Sequence, residues 1–376
     1  RHRSVSRGLG DVYKRQLRYL FLGLIVLFLV LIFLLFSVDP HPQETDLNDY
    51  RWDKSESIAL TNGIEVLTPS NAPGYDIVCI AGTSSSTYYV STKPLIGTNL
   101  AESTNIYTFI NGESQLLFSY ETPETGHWVN ELVSTNEYLY WVYSDSTEKS
   151  IIQYDINSNA VSIIKSFLPS DGEILLTGDS RFVTWFEYQE NGPIALWALD
   201  SKTGEMHLIS DRISPTQSAY TRAYVNNGVT SFVEGDNSLK IVVWDLNLKA
   251  AISEVEIDSS SIMNPQATAN YLLWGEETPE STQPKLHFFN LETNADQTIL
   301  LSDEDVRVFS FHLLDNHIIL NDRMSASLLI LNPDDLTKDS FQQNAKSHVF
   351  VLCAILNSDC VLTYDAANGN ILRIKL

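Results

Sequence analysis

The chain has 376 residues, 44% of them hydrophobic, and carries 47 acidic against 24 basic side chains, a net charge of −23. That is too apolar for a disordered chain and too acidic for a nucleic-acid binder, which needs clustered Lys and Arg to meet phosphate. Three cysteines in this length exclude a disulfide-built scaffold, and 17 glycines with 13 prolines are too few for a low-complexity chain.

Residues 1–16, RHRSVSRGLGDVYKRQ, hold five of the 24 basic residues and resemble a translated sequencing adapter. They read as a non-native segment to be set apart from fold reasoning. Residues 17–38 then predict a transmembrane helix. Positions 19–38, YLFLGLIVLFLVLIFLLFSV, contain no charge. Twenty helical residues cover about 30 Å, the thickness of a bilayer's hydrocarbon core. The run has no polar face, which argues against a buried core helix. It ends in Ser37, Val38, Asp39 and Pro40 without the small-residue cleavage pattern of a signal peptide. Arg18 before it, and 18 basic against 46 acidic residues from 38 onward, point to a single-pass anchor in the cell membrane with the C-terminal domain extracytoplasmic. None of the 26 asparagines begins an N-x-Ser/Thr acceptor, which leans the reading toward bacteria. Residues 39–56, polar and with two early prolines, read as a linker.

From there a repeat organises the chain. Aromatic, β-prone segments start at Tyr138, Arg181, Gly228, Tyr271, His317 and Cys360, at spacings of 43, 47, 43, 46 and 43. A second β-prone segment follows each of the first five and ends in Asp155, Asp200, Asp245, Asn290 and Asn332, with Asn111 as an earlier member. Each unit has two further apolar-alternating segments. Four strands in a period of 40 to 45 residues are the signature of a β-propeller. No amphipathic run at helical spacing occurs outside the membrane segment, so helix-pair repeats are rejected. The expectation is an all-β, seven-bladed β-propeller over 57–376, with six or eight blades as alternatives. The last unit lacks an outer strand, and the β-prone stretch 57–68 is expected to supply it and close the open edge.

The units TWFEYQENGPIALWALDSKTGE (184–205) and YLYWVYSDSTEKSIIQYDINSN (138–159) each run from an aromatic strand through a polar turn to an apolar strand ending in Asp. In this the chain resembles the TolB-like and related Asp-box-free propeller families of bacterial envelopes. The resemblance covers most of 75–376 and implies a scaffold, not an activity.

Two sets of residues stand out. Asp145, Glu187, Glu234, Glu276, Asp322 and Asp365 fall where the second strand of a unit turns into the third, so a propeller would gather them as an acidic ring on one face. Such a ring is a candidate site for Ca²⁺ or a cationic ligand, against the plainer reading that each residue solvates its turn or bonds a neighbouring blade. Asn111, Asp155, Asp200, Asp245, Asn290 and Asn332 would lie at the opposite face, where Asp and Asn side chains accept bonds from backbone N–H groups two residues on. Trp141, Trp185, Trp197, Trp244 and Trp274 read as packing between blades.

No nucleophile elbow, zinc-binding spacing, phosphate loop or dinucleotide fingerprint is present, and the histidines are scattered singly. Cys353 and Cys360 flank a turn that would allow pairing, although all three cysteines, Cys79 included, read more simply as small buried hydrophobes. No catalytic residue or cofactor is assigned. The favoured reading is a non-catalytic module that binds or scaffolds a protein or cell-surface ligand. The alternative is a hydrolase or lyase acting on a surface glycan or peptide through ring carboxylates, and a third reading is a sensor input.

Overall fold

A computed structural model describes residues 64–67, 75–82, 87–94, 103–110, 113–121, 129, 131–144, 148–188, 194–214, 222–235, 238–258, 262–276, 285–299, 308–314, 317–322, 327–331, 338–339, 350–357, 360–365 and 370–375. All regular structure among them is β-strand, in seven four-stranded antiparallel sheets. Six sheets are consecutive in the chain, at 75–121, 132–167, 176–210, 225–257, 262–299 and 308–339. The seventh takes three strands from 350–375, and its fourth is Ile64–Leu67, paired antiparallel with Asn370–Lys375. No helix long and apolar enough to cross a membrane occurs among the described residues. The segments 1–16, 17–38 and 39–56 lie outside them.

Strand sequence follows position in the sheet. Second strands such as Phe182–Glu187 (FVTWFE) and Val229–Glu234 (VTSFVE) are buried at every residue, because a neighbouring sheet covers each face. Such strands read as nearly continuous apolar runs. The fourth strand Ala250–Ile257 (AAISEVEI) holds only exposed and half-buried residues. From the first sheet to the sixth, each first strand touches the first strand of the next sheet, and Phe350–Asn357 of the seventh touches Tyr75–Gly82 of the first and Ile318–Asp322, the second strand of the sixth.

The core is accordingly divided among the gaps between sheets. Tyr140, Ile151, Val183 and Trp185 fill the gap between the second and third sheets, and Phe186, Leu196, Phe232 and Val242 the next. Tyr88, Val90 and Phe109 meet Leu362 and Ile371 between the first and the seventh. Trp141 and Trp185 are wholly buried and Trp274 nearly so, while Trp197 and Trp244 pack part-buried at two of the gaps. Cys79 is half-buried against the cluster of Trp141 and Tyr154.

Two local devices recur. The turns after the third strands are built by Asp or Asn. Asp155 Oδ1 accepts from the N–H groups of Asn157 and Ser158 at 2.8 and 3.1 Å, Asp245 Oδ1 from Asn247 and Leu248 at 2.7 and 3.0 Å, and Asn290 Oδ1 from Glu292 and Thr293 at 3.0 and 2.9 Å. Asp200 Oδ1 accepts from Lys202 N–H at 3.0 Å. Four residues on, the chain turns left-handed, at Asn159, Gly204, Lys249 and Asn294, with φ of 58°, 71°, 52° and 57°. Asn111 and Asn332, expected in the same role, lie outside the described residues. The second device is a β-bulge in the fourth strand of four consecutive sheets, where Leu117, Ile164, Ile209 and Ile252 are the extra residues. A bulge twists an edge strand and interrupts its ladder, which blunts it against pairing with another chain.

Candidate functional site

Because the strands of each sheet run antiparallel in chain order, second strands end and first strands begin at one end of the sheets. That end carries the longer connections, such as 122–131, 168–175, 211–224, 188–194 and 277–284. The other end carries short turns such as 179–181, 227–228 and 201–204. Binding residues concentrate on loops held by a rigid frame, so the loop end is the place to look.

Five of the six acidic residues singled out in the sequence are the last residues of second strands: Glu187, Glu234, Glu276, Asp322 and Asp365. Asp145 lies outside the described residues. Asp322 and Asp365 are placed by backbone pairing opposite Ser327 and Asn370. The other three side chains are already engaged. Glu187, 8% exposed, is ion-paired with Lys165 of the preceding sheet's fourth strand, and the Lys165 ammonium also sits 4.2 Å from the ring centre of Trp197. Glu234, 7% exposed, accepts from Ser210 Oγ at 2.5 Å and from Arg212 Nη2 at 3.4 Å, both from the end of the preceding sheet, and faces Lys240 Nζ at 3.6 Å. Glu276 meets His287 Nε2 at 3.0 Å. The imidazole stacks on Trp274 at 4.8 Å between centroids, and its Nδ1 lies 3.2 Å from Asp296 Oδ2. Glu187 and Glu234 thus act as latches between neighbouring sheets, and Glu276 acts within its own. Among the described residues, no group of three or more His, Cys, Asp or Glu side chains converges in a way that could hold a metal ion.

A second constellation, absent from any sequence motif, runs along the first strands: Glu131 and Arg222 lie just before two of them begin, and Asn226 and Leu313 where two of them end. The segment 222–226 leads into and forms the two-residue first strand of the fourth sheet, Val225–Asn226. It reaches well beyond its neighbours. Arg222 Nη2 donates to Glu131 Oε1 of the second sheet at 2.7 Å. The carbonyl of Ala223 accepts from Thr177 and Thr184 hydroxyls of the third sheet at 2.5 and 2.6 Å. The Tyr224 ring stands edge-on to His312 of the sixth sheet at 5.4 Å, and Asn226 Nδ2 donates to Leu313 O at 3.0 Å. Gln266 of the fifth sheet completes the tie, donating to Phe311 O at 2.7 Å and accepting from Leu313 N–H at 3.0 Å. One short segment therefore ties its own sheet to the second, third and sixth through polar groups.

The electrostatics of this crossing are unusual for so acidic a chain. Burial pushes the Glu131 carboxyl up, toward its neutral form, against the lowering effect of the Arg222 charge and the Leu176 N–H bond. Burial, helped by the Arg222 charge, pushes His312 down to about 4, so this imidazole is neutral near pH 7. Its Nδ1 is buried without a hydrogen-bond partner among the described residues. Arg222 keeps 36% of its side chain exposed and Glu131 10%, so the pair is reached by solvent from one side. Sequence reading missed these residues because Glu131 and Arg222 stand 91 positions apart. Their only shared feature is a place just before a first strand.

No protein-family model and no curated protein sequence matches the chain. Solved structures do. YCF48, in a structure bound to a D1 peptide, aligns with a TM-score of 0.52 at 12% identity over 84% of this chain and 97% of that one. BamB from Moraxella catarrhalis aligns at 0.48 and 14% identity, over 80% of this chain and 85% of that one. TolB from Acinetobacter baumannii aligns at 0.38 and 12% identity, over 82% and 65%. At 12% identity the likeness to YCF48 is one of fold alone.

Proposed function

We propose that the chain is a membrane-anchored, extracytoplasmic, seven-bladed β-propeller that binds or scaffolds a ligand or protein on its loop face. The seven sheets are its blades, Ile64–Leu67 is the strand that closes the ring, and 17–38 is the anchor. The observation that carries the reading is the crossing at 222–226. It ties the fourth sheet to the second, third and sixth, and its Arg222–Glu131 pair lies where first strands begin, the end that carries the long connections. A frame latched between sheets at Glu187 and Glu234 suits a surface that must hold its shape as a partner docks. A hydrolase or lyase working through the ring carboxylates has less support, because Glu187, Glu234 and Glu276 are already committed to Lys165, Ser210 and His287.

The test is photo-cross-linking of the full chain in the membrane of a bacterial host. A benzophenone amino acid replaces Asp171 or Glu173 on the loop face, or Thr203 or Leu248 on the turn face. Discrete adducts from the first pair and none from the second are expected, together with cleavage of the domain by protease added outside the inner membrane. Adducts from the turn face alone, or protection from external protease, would overturn the proposal.

A further inference from the structure

Arg222 and Glu131 form an ion pair through one guanidinium nitrogen and one carboxylate oxygen, and the guanidinium also meets the Tyr224 hydroxyl. As a device for stability this is a poor choice. Taking the Glu131 charge out of water is costly, Arg222 keeps 36% of its side chain in it, and apolar replacement of a buried pair is often neutral or stabilising. The pair is also incomplete for recognition, since a guanidinium presents five donors in a planar fork suited to two carboxylate oxygens. Next to it stand the Tyr224 ring and a His312 nitrogen left without a partner in a buried position, a state that costs about 1–3 kcal/mol unless something supplies the bond.

We infer that the crossing at 222–226 is a carboxylate-binding site, in which Arg222 receives the carboxylate of a ligand entering from the loop face and Glu131 takes up one proton as it does so. The inference rests on the proposed binding function and names the chemistry of its ligand. Two carboxylates cannot share one guanidinium in a desolvated place while both are charged, whereas a protonated Glu131 becomes a donor to the incoming carboxylate. Charge then balances as one carboxylate and one proton enter together. The groups that bear on Glu131 favour this exchange. Burial already lifts its proton affinity, Glu173 on the segment before the third sheet adds a like charge, and Arg222 and the Leu176 N–H act the other way. Around Arg222 stand Tyr224 and Cys79, with His312 neutral beside them. Among these only Glu131 is a carboxylate in direct contact with the guanidinium.

The test is isothermal titration calorimetry on the full chain in detergent at pH 5.5 and 7.5. The probes are N-acetylglycine, its amide, and glucuronate. The carboxylates are expected to bind and the amide to fail. Affinity should be at least about tenfold higher at pH 5.5, and the heat should vary with the ionisation enthalpy of the buffer, as uptake of a proton requires. Binding of N-acetylglycine alone identifies a peptide carboxylate, binding of glucuronate alone a uronate, and either supports the site. Glu131→Gln, which holds the position neutral, should bind equally at both pH values, and Arg222→Met should not bind. Arg222→Lys serves as a folded control if the Met variant unfolds, and its affinity should fall at least about tenfold. Equal binding of acid and amide, no binding of either acid, or a Glu131→Gln variant that keeps the pH dependence would overturn the inference. Loop-face cross-links with no carboxylate binding would refute this site and leave the binding module standing. Carboxylate binding without cross-links would do the reverse.

Discussion

If Glu187 is a latch between sheets rather than a ligand in an acidic ring, removing Lys165 should destabilise the frame far more than removing an ordinary surface lysine. Lys165→Met leaves a carboxylate that is 8% exposed without its ammonium partner. Breaking a buried pair from one side costs about 3–5 kcal/mol. Lys165 keeps 20% of its side chain in water, which puts the expected loss at the lower end, about 3 kcal/mol. The contact with Trp197 at 4.2 Å accounts for about 1 kcal/mol of it. Glu187→Gln should cost less, about 1–2 kcal/mol, because a neutral amide tolerates burial better than a lone charge. The double variant should then be more stable than the sum of the single effects implies, by at least about 1.5 kcal/mol. The assay is urea unfolding of the full chain in detergent, followed by tryptophan fluorescence and compared at constant slope. Additivity within about 0.5 kcal/mol would refute the latch. Replacing chelator with Ca²⁺ at matched ionic strength should leave the melting temperature unchanged, since Glu187, Glu234 and Glu276 are engaged. A rise in Ca²⁺ that Glu187→Gln and Glu234→Gln abolish would refute it as well.

The turn residues give a graded pair. Gly204 has φ of +71° with open space where a Cβ would stand, so Gly204→Ala should cost only the left-handed backbone penalty, about 1–2 kcal/mol. At Gly235, φ is +105° and a Cβ would lie 2.1 Å from Ser238 O, so the same change should cost clearly more in the same urea assay. Acid stability should depend on Asp200, whose carboxyl is held below the usual range by the hydrogen bonds from Arg181, with the Lys202 N–H adding to them and burial opposing. A carboxyl with a depressed folded value contributes stability above its unfolded pKa and loses that contribution as pH falls through the folded one. Asp200→Asn should therefore be destabilised at pH 7, by about 1 kcal/mol given that Arg181 is 39% exposed. The gap to the parent protein should narrow in thermal melts as pH falls below the ordinary Asp pKa of about 3.9, and a gap unchanged by acid would contradict the assignment.

What the sequence could reveal was whatever repeats locally. The four-strand unit was legible because strands buried on both faces are written as apolar runs such as FVTWFE, and because a turn needing an Asx bond and a left-handed residue recruits the same few side chains at Asp155, Asp200, Asp245 and Asn290. The second-strand carboxylates were legible as positions but not as partners. Whether Glu187 meets solvent or Lys165 depends on how two sheets face each other, and no spacing along the chain records that. The bulges at Leu117, Ile164, Ile209 and Ile252 left no mark either, since an extra aliphatic residue in an apolar strand looks like any other. The crossing at 222–226 was the least legible feature. Its members come from different sheets, far apart in the chain, and meet because neighbouring first strands touch.

All of this depends on the chain closing upon itself through a strand that comes from its beginning. Hydrogen–deuterium exchange of the full chain, read on peptides covering 64–67 and 370–375, tests that closure most directly. The register Ile64↔Ile374 to Leu67↔Ile371 predicts that the two segments exchange together, and about as slowly as the neighbouring strand Cys360–Asp365. Full exchange of 64–67 within seconds while 360–365 stays protected would contradict it and leave the ring open.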